Sequence, residues 1–163
     1  DVLAVAGTLG KAAAGLSLLL HKDNSLAASY PELVQVQLRP KPPINSAVTC
    51  SANAMLDISD SLALDANRLA SSSNVLLRIK SSDLQGYVAV LEQAAQSISA
   101  RGGKEFDPLD WVLFGGEDHG FLASFPAENV PAGFKRIGSV EAGSGVYLDS
   151  KPLEAKGWDS VSS

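Results

Sequence analysis

The sequence predicts a single domain that mixes strands and helices, of the α/β or α+β class. Three observations predict it. The chain has 163 residues, the size of one ordinary domain with a proper core. Short apolar runs of strand type recur between segments of helical period. No internal repeat and no linker divides it.

Residues 1–6, DVLAVA, alternate as a strand, and Gly7 with Gly10 turn the chain. Ala12 to Leu20 reads as a helix packed on a core, ended by HKDNS at 21–25. Residues 30–38 favour helix over strand, and RPKPP at 39–43 stops regular structure because three prolines fix φ and lack a donor. A short helix over 45–53, a strand over 54–58 and a helix over 60–71 follow. Val75, Leu76, Leu77 and Ile79 mark the next strand. Residues 84–100 form one long helix whose stripe is Leu84, Val88, Leu91, Ala95 and Ile98, with RGG as its stop. A helix at 107–113 leads into GGED and the strand HGFLASF. FKRIGSVE and GVYLD are two late strands joined by EAGSG, a Gly-rich hairpin connection. KGWDSVSS is a polar tail.

Composition narrows the classes. Hydrophobic residues make up 45% and charged residues 19%, as in soluble globular proteins. Aromatics are only 6%, so Ala, Leu, Val and Ile must fill the core. The net charge of −5, with scattered basic residues, argues against nucleic acid or an anionic membrane as the main partner. LSLLL at 16–20 is too short to span a bilayer. The N-terminus lacks the basic head of a secretory signal and carries Lys11 before its apolar stretch. It opens directly into a strand, which points to a missing upstream part. The single Cys50 excludes an internal disulfide and suits a reducing cytosol.

Several motif matches fail. GTLGKA at 7–12 has the wrong spacing for a P-loop, and Ala12 stands where Ser or Thr is needed. No G-x-S-x-G elbow exists, and His21 and His119 lack neighbours at zinc-ligand spacing. Lys11, His119 and Cys50 read as surface or packing residues.

AMLDISDSLALD at 54–65 is the first acidic focus. Asp57 would close the strand, Ser59 would cap the helix and Asp60 would lie in its first turn. Two carboxylates at such a junction suit Mg²⁺, which completes its octahedron with water and phosphate oxygens. Spacing alone favours the plainer reading of acids at a helix start. FGGEDHGF at 114–121 is the second focus: paired glycines allow close backbone approach, and Glu117 could then be brought against a substrate. Alone it fits a water-facing turn slightly better. Trp158 either stacks on a flat heterocycle or covers an apolar patch.

Taken together, VAGTLGKAAAGL, LRPKPP, AMLDISDSLALDANRLA, LFGGEDHGFLASFP, RIGSV and KGW resemble thiamine-monophosphate kinase in order and separation. The match covers the C-terminal half of that enzyme, so residues 1–163 would be one domain without the N-terminal nucleotide platform. The family is similar in fold to aminoimidazole ribonucleotide synthetase and selenophosphate synthetase. The resemblance implies an α+β layered domain, with helices packed on a mixed β-sheet. It implies transfer of the ATP γ-phosphoryl to thiamine monophosphate with Mg²⁺, by an enzyme that is cytoplasmic and homodimeric, its dimer built largely by the other half. The isolated piece would not complete a turnover. Position by position, Asp57 and Asp60 match the family's magnesium ligands and Ser59 its nucleotide-contacting serine. Glu117 matches the acid of G-G-E-D that contacts the thiamine substrate, and Trp158 an aromatic beside the substrate's rings. The chain departs from the pattern at Lys11-Ala12, Pro43, Ser61, His119-Gly120 and Ser160-Val161. The Ser61 change leaves open another ATP-using synthetase of the same superfamily, and a packing or assembly domain without ligands is the reading from a different class.

Overall fold

A computed structural model describes residues 1–102 and 105–157. Its seven strands are β1 (Val2–Ala6), β2 (Ala54–Ile58), β3 (Leu76–Ile79), β4 (Gly120–Phe125), β5 (Phe134–Glu141), β6 (Gly145–Leu148) and β7 (Lys151–Pro152). They form one sheet in the order β2-β4-β1-β5-β3-β6-β7. All neighbours are antiparallel except β3 and β6, which run parallel, so the sheet is mixed. Eight helices accompany it among the described residues: α1 (Lys11–Leu19), α2 (Ser25–Ser29), α3 (Pro31–Leu38), α4 (Ile44–Val48), α5 (Leu62–Ser73), α6 (Ser81–Val88), α7 (Glu92–Ala100) and α8 (Pro108–Phe114). Of the two classes the sequence allows, α/β and α+β, the structure shows α+β, the one the resemblance implies.

Strand periodicity divides the core into two layers. Leu3 and Val5 of β1 join Ile58, Leu77, Ile79, Leu122, Ile137 and the apolar faces of the helices in the larger cluster. Val2, Ala4 and Ala6 point the other way, into a smaller cluster with Ala123, Phe125 and Phe134. β1 is therefore buried on both faces. The small side chains suit the thin cover of the second face, which includes Cys50, Ala52, Phe121 and Val130.

Three sequence expectations are corrected. The helix expected over 84–100 starts earlier and breaks into α6 and α7. The N–H of Leu91 bonds to Val88 O at 2.9 Å, a tight three-residue turn. That turn lets both Val88 and Leu91 reach the core while Val90 stays exposed. The EAGSG connection does not close a hairpin, because β3 lies between β5 and β6. The loop instead crosses the end of β3, with Gly143 against the Leu76 side chain. Finally, Ser61 caps α5, not Ser59: its side chain accepts from Leu64 N at 2.9 Å. Asp60 thus precedes the cap and is not in the first turn.

Helix α1 has no capping side chain of its own. It crosses α3 so closely that a Cβ on Gly15 would lie 2.3 Å from Leu33 O. α8 follows the usual start signals, with Pro108 in its first turn and Asp107 accepting from Leu109 N at 2.9 Å. No helix among the described residues is long and apolar enough to cross a membrane.

Candidate active site

Among the described residues β2 is an edge strand, paired on one side only with β4. Leu56 lies opposite Leu122 and packs on the helix side, whereas Asp57 lies opposite Phe121, on the face of the smaller cluster. The Asp57 side chain is exposed there. Beyond Ile58 the chain turns through Ser59, Asp60 and Ser61 into α5. Asp65, in the first turn of that helix, is only 1% exposed. Its Oδ2 accepts from the backbone N–H of Asp60 at 3.1 Å and of Ser61 at 3.2 Å. Its Oδ1 accepts from Arg68 Nη1 at 2.6 Å. The same Arg68 nitrogen donates to Asp60 Oδ2 at 2.5 Å. These bonds, that to Asp60 foremost, hold the guanidinium proton above its ordinary range. A buried carboxylate thus shapes the loop on which Asp60 stands.

The GGED segment packs on this loop. The N–H of Glu117 donates to Ser59 O at 2.8 Å. A Cβ on Gly116 would lie 2.6 Å from Asp60 O and 2.7 Å from Ser59 O, so only glycine permits the approach. Glu117 and His119 both have positive φ, 69° and 51°. Glu117 is 58% exposed in its side chain, with His119 Nε2 3.6 Å from its Oε2. Asp118, between them, is turned inward and buried. Its Oδ1 accepts from Thr8 Oγ1 at 2.7 Å and its Oδ2 from Ala12 N at 3.4 Å, so it caps α1 from a distant part of the chain. Burial pushes the Asp118 carboxyl above its ordinary range, against the bonds from Thr8 and the first turn of α1.

Beside Glu117 opens a cleft of about 610 Å³, lined by Ala13, Leu16, Phe114 and the Gly115–Gly116 backbone, with Gln37 supplying a polar side chain. Gly157 closes one rim. The tail is held there by Ser61 Oγ, which donates to Lys156 O at 2.6 Å. Trp158 lies outside the described residues.

Ser59, Asp60 and Glu117 are therefore gathered at one place by backbone contacts. Asp57 stands on the edge strand next to them, but its carboxylate is on the Phe121 face while that of Asp60 is drawn toward α5. Among the described residues no three His, Cys, Asp or Glu side chains cluster as a metal cage. The donor set, two carboxylates of which Asp57 is exposed and Asp60 is 16% exposed and paired with Arg68, still suits Mg²⁺ in kind, since that ion takes one or two protein carboxylates and fills its remaining positions with water and phosphate oxygens. A site needing three or four protein ligands, such as structural zinc, does not fit.

Sequence reasoning missed Asp65, Arg68, Asp118 and the capping role of Ser61. Asp65 left one signal, an acid amid the apolar stretch Leu62 to Ala66 and four residues after a capping serine. Asp118 left none beyond its place in GGED, because its partners Thr8 and Ala12 are far away in sequence.

The fold is shared with the hydrogenase maturation protein HypE from E. coli, at a TM-score of 0.52 and 18% identity over 97% of this chain and 49% of that one. That likeness concerns fold alone. A particular kinship appears at higher identity. The chain is 39% identical to thiamine-monophosphate kinase from Aquifex aeolicus over 162 residues, 97% of its own length and 51% of the relative's. It superposes on the solved structure of AaThiL complexed with AMPPCP and TMP at a TM-score of 0.76, with 36% identity over 97% of this chain and 50% of that one. No protein-family model matches the chain. The chain is thus homologous to the thiamine-monophosphate kinases along almost all of its length, and it spans about half the length of the curated relatives it matches.

Proposed function

We propose that this chain forms the C-terminal part of an enzyme that transfers the γ-phosphoryl group of ATP to thiamine monophosphate, giving ADP and thiamine diphosphate. The observation that carries the reading is the bond from Glu117 N to Ser59 O. It joins the loop of the paired aspartates to the loop beside the cleft, in a chain whose homologue was solved with AMPPCP and TMP together.

In this reading Asp57 and Asp60 hold Mg²⁺, and Ser59 contacts the nucleotide between them. When bound, the cation neutralises the charge of the polyphosphate during transfer. Glu117, exposed at the rim, faces the cationic thiamine, and Ala13, Leu16 and Phe114 offer an apolar wall to its rings. Trp158, the next residue in the sequence after Gly157, is the aromatic that this reading assigns to stacking on the substrate's rings. The acceptor is itself a phosphate, so the chain needs no strong base to make the nucleophile. Its residues position and neutralise, which is what phosphoryl transfer asks of a protein. The same reading makes the enzyme cytoplasmic and homodimeric, with small molecules as its substrates and no nucleic acid or membrane partner.

The test is phosphoryl transfer by the protein that carries this chain, with thiamine monophosphate and ATP. The reading expects Mg²⁺-dependent thiamine diphosphate; selective turnover of a rival acceptor, such as selenide or a ribonucleotide, overturns it.

A further inference from the structure

We propose that Arg68 is a positioning residue that keeps Asp60 in reserve: its guanidinium occupies the Asp60 carboxylate until a divalent cation replaces it. The proposal rests on the reading of Asp60 as a cation ligand. One nitrogen of Arg68 serves both Asp60 Oδ2 and Asp65 Oδ1. The two carboxylates are unequal. Asp65 is buried, stands one helical turn before Arg68 and also fixes the N–H groups of Asp60 and Ser61. It cannot leave without undoing the start of α5. The Asp60 side chain is 16% exposed and stands on the loop before the helix. Asp60 is therefore the partner that can be exchanged, and Asp65 the one that retains the arginine.

Two facts make exchange necessary rather than optional. A divalent cation on Asp60 would sit within a few ångströms of a guanidinium that never deprotonates, and the two like charges repel. The Asp57 carboxylate is on the Phe121 face of the sheet, while Arg68 draws Asp60 toward α5. A cation shared by both aspartates requires Asp60 to swing away from Arg68.

The test is Mn²⁺ binding, followed by the electron paramagnetic resonance of the free ion, in the protein that carries this chain and without nucleotide. R68Q removes the competing charge and should bind Mn²⁺ about 3- to 10-fold tighter, the modest size reflecting an arginine side chain that is 43% exposed. Without cation it should also unfold at a lower temperature than the unsubstituted protein, since Asp65 loses its charged partner, and Mn²⁺ should raise its midpoint more. A merely structural role for Arg68 predicts the opposite sign in affinity. Should R68Q not fold, R68K carries the test: the lysine ammonium ends a stem one bond shorter than the arginine Nη1, so while held on Asp65 it reaches Asp60 less well, and affinity should rise by about 2-fold. Unchanged or weaker binding in the variant that is read, alongside loss of binding in D60N, overturns the proposal alone. Full affinity in D60N overturns the assignment of the cation to Asp60, and the proposal with it.

Discussion

The backbone N–H of Glu117 donates to the carbonyl oxygen of Ser59 at 2.8 Å, tying the turn after β4's neighbour α8 to the turn after β2. Each loop carries acids that the sequence singles out, and neither is placed independently of the other. Gly116 seals the contact, Asp65 holds one side from within, and Asp118 anchors the other to Thr8 and the start of α1. The proposed cation site and the proposed substrate cleft share this one hydrogen bond, so they should respond together when it is strained.

Gly116→Ala tests that coupling. Its Cβ would meet two backbone oxygens at 2.6 and 2.7 Å, and backbone cannot step aside cheaply. We expect a loss of about 1–3 kcal/mol in urea unfolding, the usual scale for overpacking. Cation affinity and thiamine monophosphate affinity should fall together in calorimetry; a change in only one would show that the loops act separately.

Asp118 sets a pH dependence. Burial raises its folded pKa above the ordinary 3.8. The folded protein thus holds this proton more readily than the unfolded chain. The resulting stability is full below 3.8 and is lost as pH rises through the folded value. Asp118→Asn, similar in shape but uncharged, should remove that slope, so unfolding free energies of the two proteins diverge with rising pH and then run parallel. Asp118→Ala should cost about 1–3 kcal/mol, because the Thr8 hydroxyl and the start of α1 lose their acceptor.

Ser61 joins the start of α5 to the tail. Its oxygen accepts from Leu64 N and donates to Lys156 O. Ser61→Ala should cost about 1 kcal/mol from the lost cap and should free the chain at Lys156–Gly157. Limited proteolysis after Lys156 should therefore quicken; an unchanged cleavage rate would mean that other contacts hold the tail.

Much of this was legible in the sequence, for local reasons. β1, β2, β4 and α8 announce themselves through alternation, caps and prolines, signals that act within a few residues. The single helix over 84–100 was misjudged because Leu84, Val88, Leu91 and Ala95 keep helical spacing on both sides of a tight turn. The β5–β6 hairpin failed for a non-local reason: β3, far earlier in the chain, takes the place between them. At the site, Asp57, Ser59, Asp60 and Glu117 were visible as motif residues. Arg68 was not, because nothing in its neighbours says that it reaches back over the loop to Asp60. Trp158 stays a proposal, since it lies outside the described residues.

The most direct test of the account is ATP-dependent formation of thiamine diphosphate by the protein that carries this chain, compared with its Asp57→Asn and Asp60→Asn variants at matched folding. The account predicts Mg²⁺-dependent product from the unsubstituted protein and a loss of about 100-fold or more in kcat/KM for each variant, roughly 3 kcal/mol of transition-state stabilisation. Rates within a few-fold of the unsubstituted protein in both variants would contradict it.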